Sequence, residues 1–151
     1  MNPSVPVLLV PTGAGSLVFP SAMVSEVLIK TDIHPVPGTR VWVLGYCIWR
    51  GVPVSVVSLD MLLGIESGHG DVRRIVVMYP LPGRRPYDYV AVATRSEPRA
   101  MYIDGDVKTA SKRTGLRQRY VASLLELPQG LGIIPDFQAL KATYYSRRSG
   151  D

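Results

Sequence analysis

The sequence predicts an all-β fold with short helices, and three observations carry that expectation. Apolar residues fall into about nine or ten short runs rather than into long helical periods. Turn-forming residues recur roughly every 8–12 positions, and the chain holds 14 glycines and 13 prolines, which punctuate strands and stop helices. The stretch Val52-Pro53-Val54-Ser55-Val56 places alternate valines on one face, the period of a strand. Such spacing describes small barrels or a sandwich. A glycine-rich break near residues 64–72 divides the chain into two β modules, and at 151 residues the two are expected to share one core within a single domain, 1–151.

Val5 to Pro11 is the first apolar strand, and Thr12-Gly13-Ala14-Gly15-Ser16 turns it into Leu17-Val18-Phe19 as a hairpin. No Gly-Lys-Ser/Thr follows these glycines, so they are not a phosphate loop. Pro20-Ser21 reads as a helix start with Ser21 as N-cap, giving a short helix over Ala22 to Val27 on which Val24 and Glu26 point apart. Val27, Leu28 and Ile29 leave it as a strand. Lys30 to Thr39 is a loop marked by Pro35 and Pro37-Gly38, and His34 sits in it without a second metal ligand nearby. Two apolar strands then run from Val41 to Asp60, joined at a tight tip, Trp49-Arg50-Gly51. Glycine supplies a positive φ there without steric cost. An arginine on a rigid β turn is held out from the sheet, ready for a bidentate contact with a carboxylate. Leu59 to Gly64 is one helical turn ended by glycine.

The second half opens with the strand Ile75 to Tyr79, followed by a loop from Pro80 to Pro86 that its prolines make protrude. Tyr87 to Ala93 and Arg99 to Ile103 are further strands, with a turn at Asp104-Gly105-Asp106 that lacks the remaining ligands of a calcium loop. Lys108 to Gln118 reads as a polar, basic, mobile loop. Tyr120 to Leu127 and Leu131 to Ile134 form a last hairpin through Pro128-Gln129-Gly130. Asp136 then caps a closing helix over Phe137 to Ala142, and the tail from Ser146 is expected to be disordered.

Composition narrows the function classes. No apolar run approaches the ~20 residues that span a bilayer, and Met1-Asn2-Pro3-Ser4 lacks the basic region of a signal peptide. The single cysteine, Cys47, rules out an intrachain disulfide and reads as a small core hydrophobe. A cytoplasmic location follows as the expectation. Residues 1–75 hold five basic and five acidic side chains, whereas residues 76–151 hold twelve against seven, so the +5 excess lies in the second half, with pairs at Arg84-Arg85, Lys112-Arg113 and Arg147-Arg148. Glu66, His69 and Asp71 are flanked by flexible glycines and read as a surface turn rather than a metal site. There is no Gly-x-Ser-x-Gly, no His-Glu-x-x-His and no paired cysteine. No catalytic, metal or cofactor site is nominated. The chain reads as a binding protein.

Val24-Ser25-Glu26-Val27, a proline-bearing loop, Val43-Leu44-Gly45, Trp49-Arg50-Gly51-Val52-Pro53-Val54 and Val57-Ser58-Leu59 follow in an order and spacing that resembles the CheW-like chemotaxis coupling domain. That family shows Val-x-Glu-Ile/Val, a short gap, Gly-x-x-Asn-x-Arg-Gly, and an apolar strand ending Val-Asp-Leu. Leu124 to Leu127 and Ile133 to Leu140 look like its closing strands and helix, so the likeness extends over most of the chain. The resemblance implies two small five-stranded SH3-like β-barrel subdomains sharing a hydrophobic core, with no catalytic activity and no cofactor. It implies an adaptor at membrane-associated arrays, coupling methyl-accepting chemoreceptor tips to the regulatory domain of a CheA-type histidine kinase, with other CheW-like proteins as further partners. Carried over by motif, Val24, Glu26, Arg50 and Gly51 are the candidate partner-binding positions. Glu26 offers a charge complementary to a partner or to Arg50 itself, and Gly45 and Gly51 serve backbone geometry.

Departures from the pattern mark a diverged member. Ile48-Trp49-Arg50 replaces Asn-Leu-Arg, and Ser55 and Ser58 stand where the family tends to have Pro and Asp. The loop from Pro80 to Pro86 and the basic segment from Lys108 to Arg119 are also additions to the simplest coupling proteins. A type IV pilus (twitching) pathway is a candidate setting beside the flagellar one. The competing reading is a small-barrel nucleic-acid binder, because Tyr87, Tyr89 and Tyr102 lie among arginines in the basic half.

Overall fold

The computed structural model describes residues 3–29, 32–66, 71–81, 83–86, 88–111 and 115–144. Ten strands and two short α-helices follow one another as β1 (Ser4–Pro11), β2 (Ser16–Pro20), β3 (Val24–Ile29), β4 (Val43–Trp49), β5 (Val52–Val57), α1 (Leu59–Leu63), β6 (Arg74–Met78), β7 (Val90–Thr94), β8 (Arg99–Asp104), β9 (Val121–Leu127), β10 (Gly130–Pro135) and α2 (Phe137–Tyr144). They build two five-stranded sheets, ordered β8-β1-β2-β10-β9 and β3-β6-β7-β5-β4. The expected mostly-β architecture of two five-stranded units is what the chain adopts.

The break near 64–72 does not separate the two sheets, because β5 before it and β6 after it both lie in the second sheet. It separates two halves of five strands that repeat one arrangement. In each sheet the first three strands in spatial order pair antiparallel, the next pair is parallel (β2 with β10, β7 with β5), and the last is antiparallel. Each strand of the first half therefore matches the strand five further on. Each sheet takes a hairpin from one half and three strands from the other. The halves are exchanged, not stacked.

The central strands β6 and β7 are buried on both faces and read as continuous apolar runs, while the edge strands β3 and β8 are partly exposed. In β6, Val76 and Met78 enter a core shared by the two sheets, while Ile75 and Val77 face a cluster belonging to the second sheet alone, with Cys47, Trp49, Val54, Val56 and Ala91. In β2, Leu17 and Phe19 enter the shared core and Val18 a cluster of the first sheet, with Val7, Leu9, Leu125 and Leu127. Both helices close a half in the same way. Ser58 Oγ accepts from the Met61 amide at 3.3 Å ahead of α1, and Asp136 Oδ1 accepts from the Ala139 amide at 3.0 Å ahead of α2. Gly64 ends α1 in the left-handed region.

Several local expectations are corrected. Residues 24–29 are a strand, and the helical part is one 3-10 turn at Ser21–Met23 whose N-cap is Pro20, with no side-chain cap bond from Ser21. The backbone of β3 is claimed by β6, and sheet pairing overrides the local cap signal. The loop after Met78 does not simply protrude: Leu81 is buried beside Phe19, Met78, Phe137 and Leu140. Nor is the start of the basic segment free. The Glu126 amide donates to the Lys108 carbonyl and the Ala110 amide to the Leu124 carbonyl, both at 2.8 Å, so residues 108–110 extend the edge of β9. Lys112, Arg113, His69, Tyr87 and the tail from Ser146 lie outside the described residues.

Candidate functional site

The Arg50-Gly51 turn is set by its flanking strands. Trp49 pairs with Val52 in the β4–β5 ladder, so a two-residue connection must reverse the chain. Both residues have positive φ, 50° at Arg50 and 78° at Gly51, the pattern of a type I′ hairpin turn. Sequence reasoning assigned the positive φ to Gly51 alone. Arg50 is the non-glycine residue found there among the described residues, and a β hairpin holds it in place.

The Arg50 guanidinium lies over the Trp49 ring, its Cζ 4.5 Å from the centroid, and its Nη2 stands 3.9 Å from Glu26 Oε2. The Trp49 indole Nε1–H donates to the same carboxylate oxygen at 2.5 Å. Glu26 is thus committed first to Trp49 and only loosely to Arg50, whose side chain is 67% exposed. An ion pair this long and this wet contributes little. Its consequence is orientation: the guanidinium lies over an indole while most of the side chain remains exposed.

Two more aromatic rings continue the surface. Tyr89 packs 4.9 Å from Trp49, and Tyr79 lies 6.1 Å from Tyr89, centroid to centroid, with Tyr79 about half exposed. From sequence, Trp49 appears only as part of the turn motif and Tyr89 only in the nucleic-acid reading, and Tyr79 is not nominated. Met78 pairs with Val90 in the β6–β7 ladder, so Tyr79 and Tyr89 stand opposite one another just beyond it. That symmetry about the 80–88 loop was the signal available.

Of the candidate positions, the structure brings Glu26, Arg50 and Gly51 together and leaves Val24 and Gly45 elsewhere. A β-bulge at Ser25 explains Val24: Val24 pairs with Met78 and Glu26 with Val77, so one partner step takes two residues of β3. Residues two apart, which would share a face of a regular strand, here point opposite ways. Val24 packs on the shared core and Glu26 turns toward Trp49. Gly45 sits at a register shift in β4 with φ 141°, where a Cβ would collide with the His34 carbonyl. His34 pairs by backbone with Tyr46, at 2.8 and 3.0 Å, so the proline loop is hydrogen-bonded onto β4.

The departures have local roles. Ser58 caps α1, and Ile48 is about half exposed on the outer face of β4. Cys47 is fully buried, and burial pushes its thiol above the ordinary range, so it stays protonated and apolar. Arg84 pairs with Asp88 at 3.1 Å, Arg85 lies 3.9 Å from the same carboxylate, and Tyr89 is taken up by Trp49. Arg84 and Tyr89 are thus engaged within the fold, whereas Arg85 and Tyr102 are exposed. No group of three or more His, Cys, Asp or Glu that could hold a metal occurs among the described residues, and none of their helices is long and apolar enough to cross a membrane.

The chain thus consists of two interleaved five-stranded sheets, with a glutamate, a tryptophan and a turn arginine gathered on one of them. The CheW-like domain family matches residues 6–141, and the chain belongs to that family. Among solved structures it is similar to the scaffolding protein TtCheW from Thermoanaerobacter tengcongensis, at 17% identity over 90% of each chain with a TM-score of 0.71. At that identity the likeness is one of fold. No curated relative matches the sequence.

Proposed function

We propose that the protein is a non-catalytic adaptor that couples chemoreceptors to a CheA-type histidine kinase on the cytoplasmic side of membrane-associated arrays. Family membership supports the coupling role. The observation that carries the contact face is Arg50, set in a positive-φ turn, placed over Trp49 and with its side chain largely exposed. A cation so presented fits a carboxylate on a partner, and its planar fork favours a bidentate contact. Trp49 and Glu26 orient it, while Tyr89 and Tyr79 extend the face with apolar area at low entropic cost. The receptor tip and the kinase regulatory domain are the partners proposed for this surface.

Titration of the chain with a receptor cytoplasmic fragment and with the kinase regulatory domain tests this. Arg50→Asn suits the experiment, because asparagine accepts a positive φ and leaves the turn intact. Loss of a solvent-shielded bidentate contact should weaken one of the two partners by about tenfold or more. Undiminished affinity for both would remove Arg50 from the interface. Binding to neither partner by the wild type would remove the adaptor reading itself.

A further inference from the structure

The first sheet, which does not carry Arg50, holds a cavity of about 300 Å³ that opens to solvent. All five strands of that sheet line it: Val7 from β1, Val18 from β2, Ile103 from β8, Leu125 from β9 and Ile134 from β10. These side chains belong to the cluster peculiar to this sheet, which contains no aromatic ring. The matching cluster of the second sheet contains the Trp49 indole, with Tyr89 packed against it. One half of the repeat thus packs its sheet with rings, and the other leaves a space. Around the mouth the backbone is committed, since the Gly105 amide donates to the Pro3 carbonyl at 2.9 Å and the Val107 amide to the Asp104 carbonyl at 3.1 Å. Asp104 is the only lining residue with a polar side chain. It is exposed and forms no ion pair among the described residues.

We propose that this cavity binds an aliphatic chain of about eight carbons with a cationic or neutral head group, the chain inside and the head at the Asp104 rim. A bound water needs two to four polar partners, which an aliphatic wall with one rim carboxylate does not supply. Hydrocarbon fits instead, because each methylene moved out of water is favourable on its own. Size sets the length: an apolar cavity of about 150 Å³ holds benzene, so about twice that volume takes a chain somewhat longer than six carbons. Charge sets the head, since an ammonium meets an opposite charge at Asp104 and a carboxylate meets a like one. With all five strands in the lining, an occupant would brace the whole first sheet. The chain would then carry a small-molecule input separate from its partner-binding turn.

Calorimetric titration of the full chain with butanol, hexanol, octanol and decanol tests the chain length, and octylamine and octanoate at neutral pH test the head. Octanol should bind with a dissociation constant of about 1 mM or tighter. Each methylene from butanol to octanol should tighten binding about fourfold, and decanol should add little because the cavity is then full. Octylamine should bind at least as tightly as octanol, and octanoate about threefold or more weakly at low salt. Val107→Phe, which puts a ring into the lining, should weaken octanol about tenfold or more. Asp104→Asn should leave octanol unchanged and bring octanoate level with it. Arg50→Asn should alter none of these, so the outcome is independent of the adaptor reading. If a variant fails to fold, methyl chemical shifts of the wild type decide. Changes at Val7, Val18, Ile103 and Leu125 on adding octanol support the site, and changes confined elsewhere overturn it. Silence from every alcohol overturns it too, as expected if the cavity instead receives a side chain of a partner protein. So does an unbroken gain past octanol, undiminished binding by Val107→Phe, or octanoate binding as tightly as octylamine.

Discussion

Arg50 occupies φ 50°, where a residue with a Cβ is strained by about 1–2 kcal/mol. The loose, exposed contact to Glu26 returns only a fraction of that. Arg50→Asn should therefore raise stability by about 0.5–1 kcal/mol, since Asn-Gly is the favoured type I′ pair. Urea denaturation measures it, and a lower midpoint would mean that the cation on Trp49 is a structural clamp. The two candidate glycines separate in the same way. Gly51 has φ 78° but open space around a would-be Cβ, so Gly51→Ala meets only the conformational cost, about 1–2 kcal/mol. Gly45 combines φ 141° with the His34 carbonyl in the path of a Cβ, and Gly45→Ala should cost more than about 3 kcal/mol. Equal losses at the two positions would show that the His34 segment gives way. What sequence made legible at this scale was residue type and turn, because glycine after arginine between two apolar runs has few readings. The positive φ of Arg50 itself was hidden, as was the bulge that turns Val24 from Glu26. Neither leaves a local pattern, and both are imposed by pairing with another strand.

At the scale of elements, α1 shows how a segment too short to be helical alone is held by its surroundings. Five residues cannot offset the cost of helix nucleation. Leu59, Leu62 and Leu63 are buried in the shared core, Ser58 caps one end and Gly64 the other. Asp60 works against this. Its folded carboxyl stands near 6, above the ordinary 3.8, so the folded state holds the proton more tightly than the unfolded one. The penalty is absent below the unfolded value, grows as pH rises from about 4 to 6, and is fully present above. After allowance for partial solvation it amounts to about 1–2 kcal/mol. Asp60→Asn should accordingly stabilise the protein by about that amount at pH 7 and by almost nothing at pH 4. Denaturation midpoints of the two proteins across that range measure it, and a gap independent of pH would show a carboxyl that titrates alike in the folded and unfolded states. Element type was legible where caps and apolar runs agreed, as for α1 and α2. Over 22–27 a plausible cap preceded a Val-rich segment, and the competing partner, β6, lay some fifty residues away in the chain.

For the molecule as a whole, the strands were legible and their partners were not. Apolar runs identify buried strands but carry no address. Nothing in Ile75 to Met78 says that it pairs with β3 and β7 rather than with β8. The glycine-rich stretch suggested a boundary between two β modules sharing one core; it marks a repeat whose halves have traded strands. Cutting there would leave neither sheet complete, so the two sheets should lose structure together. The two tryptophans allow a direct check. Trp42 lies in the shared core and Trp49 in the cluster of the second sheet alone. In a Trp42→Phe background, Trp49 reports on the second sheet without interference. Phe19 belongs to the first sheet, is 1% exposed, and meets the second sheet only through the shared core. Phe19→Ala in that background should remove about 3–5 kcal/mol. If the interleaved halves form one cooperative unit, the Trp49 fluorescence transition must shift by the full amount, in step with far-UV dichroism. A Trp49 midpoint that stays in place while dichroism loses half its amplitude would show two sheets that melt apart. The shared core would then be an interface between modules rather than the centre of one domain.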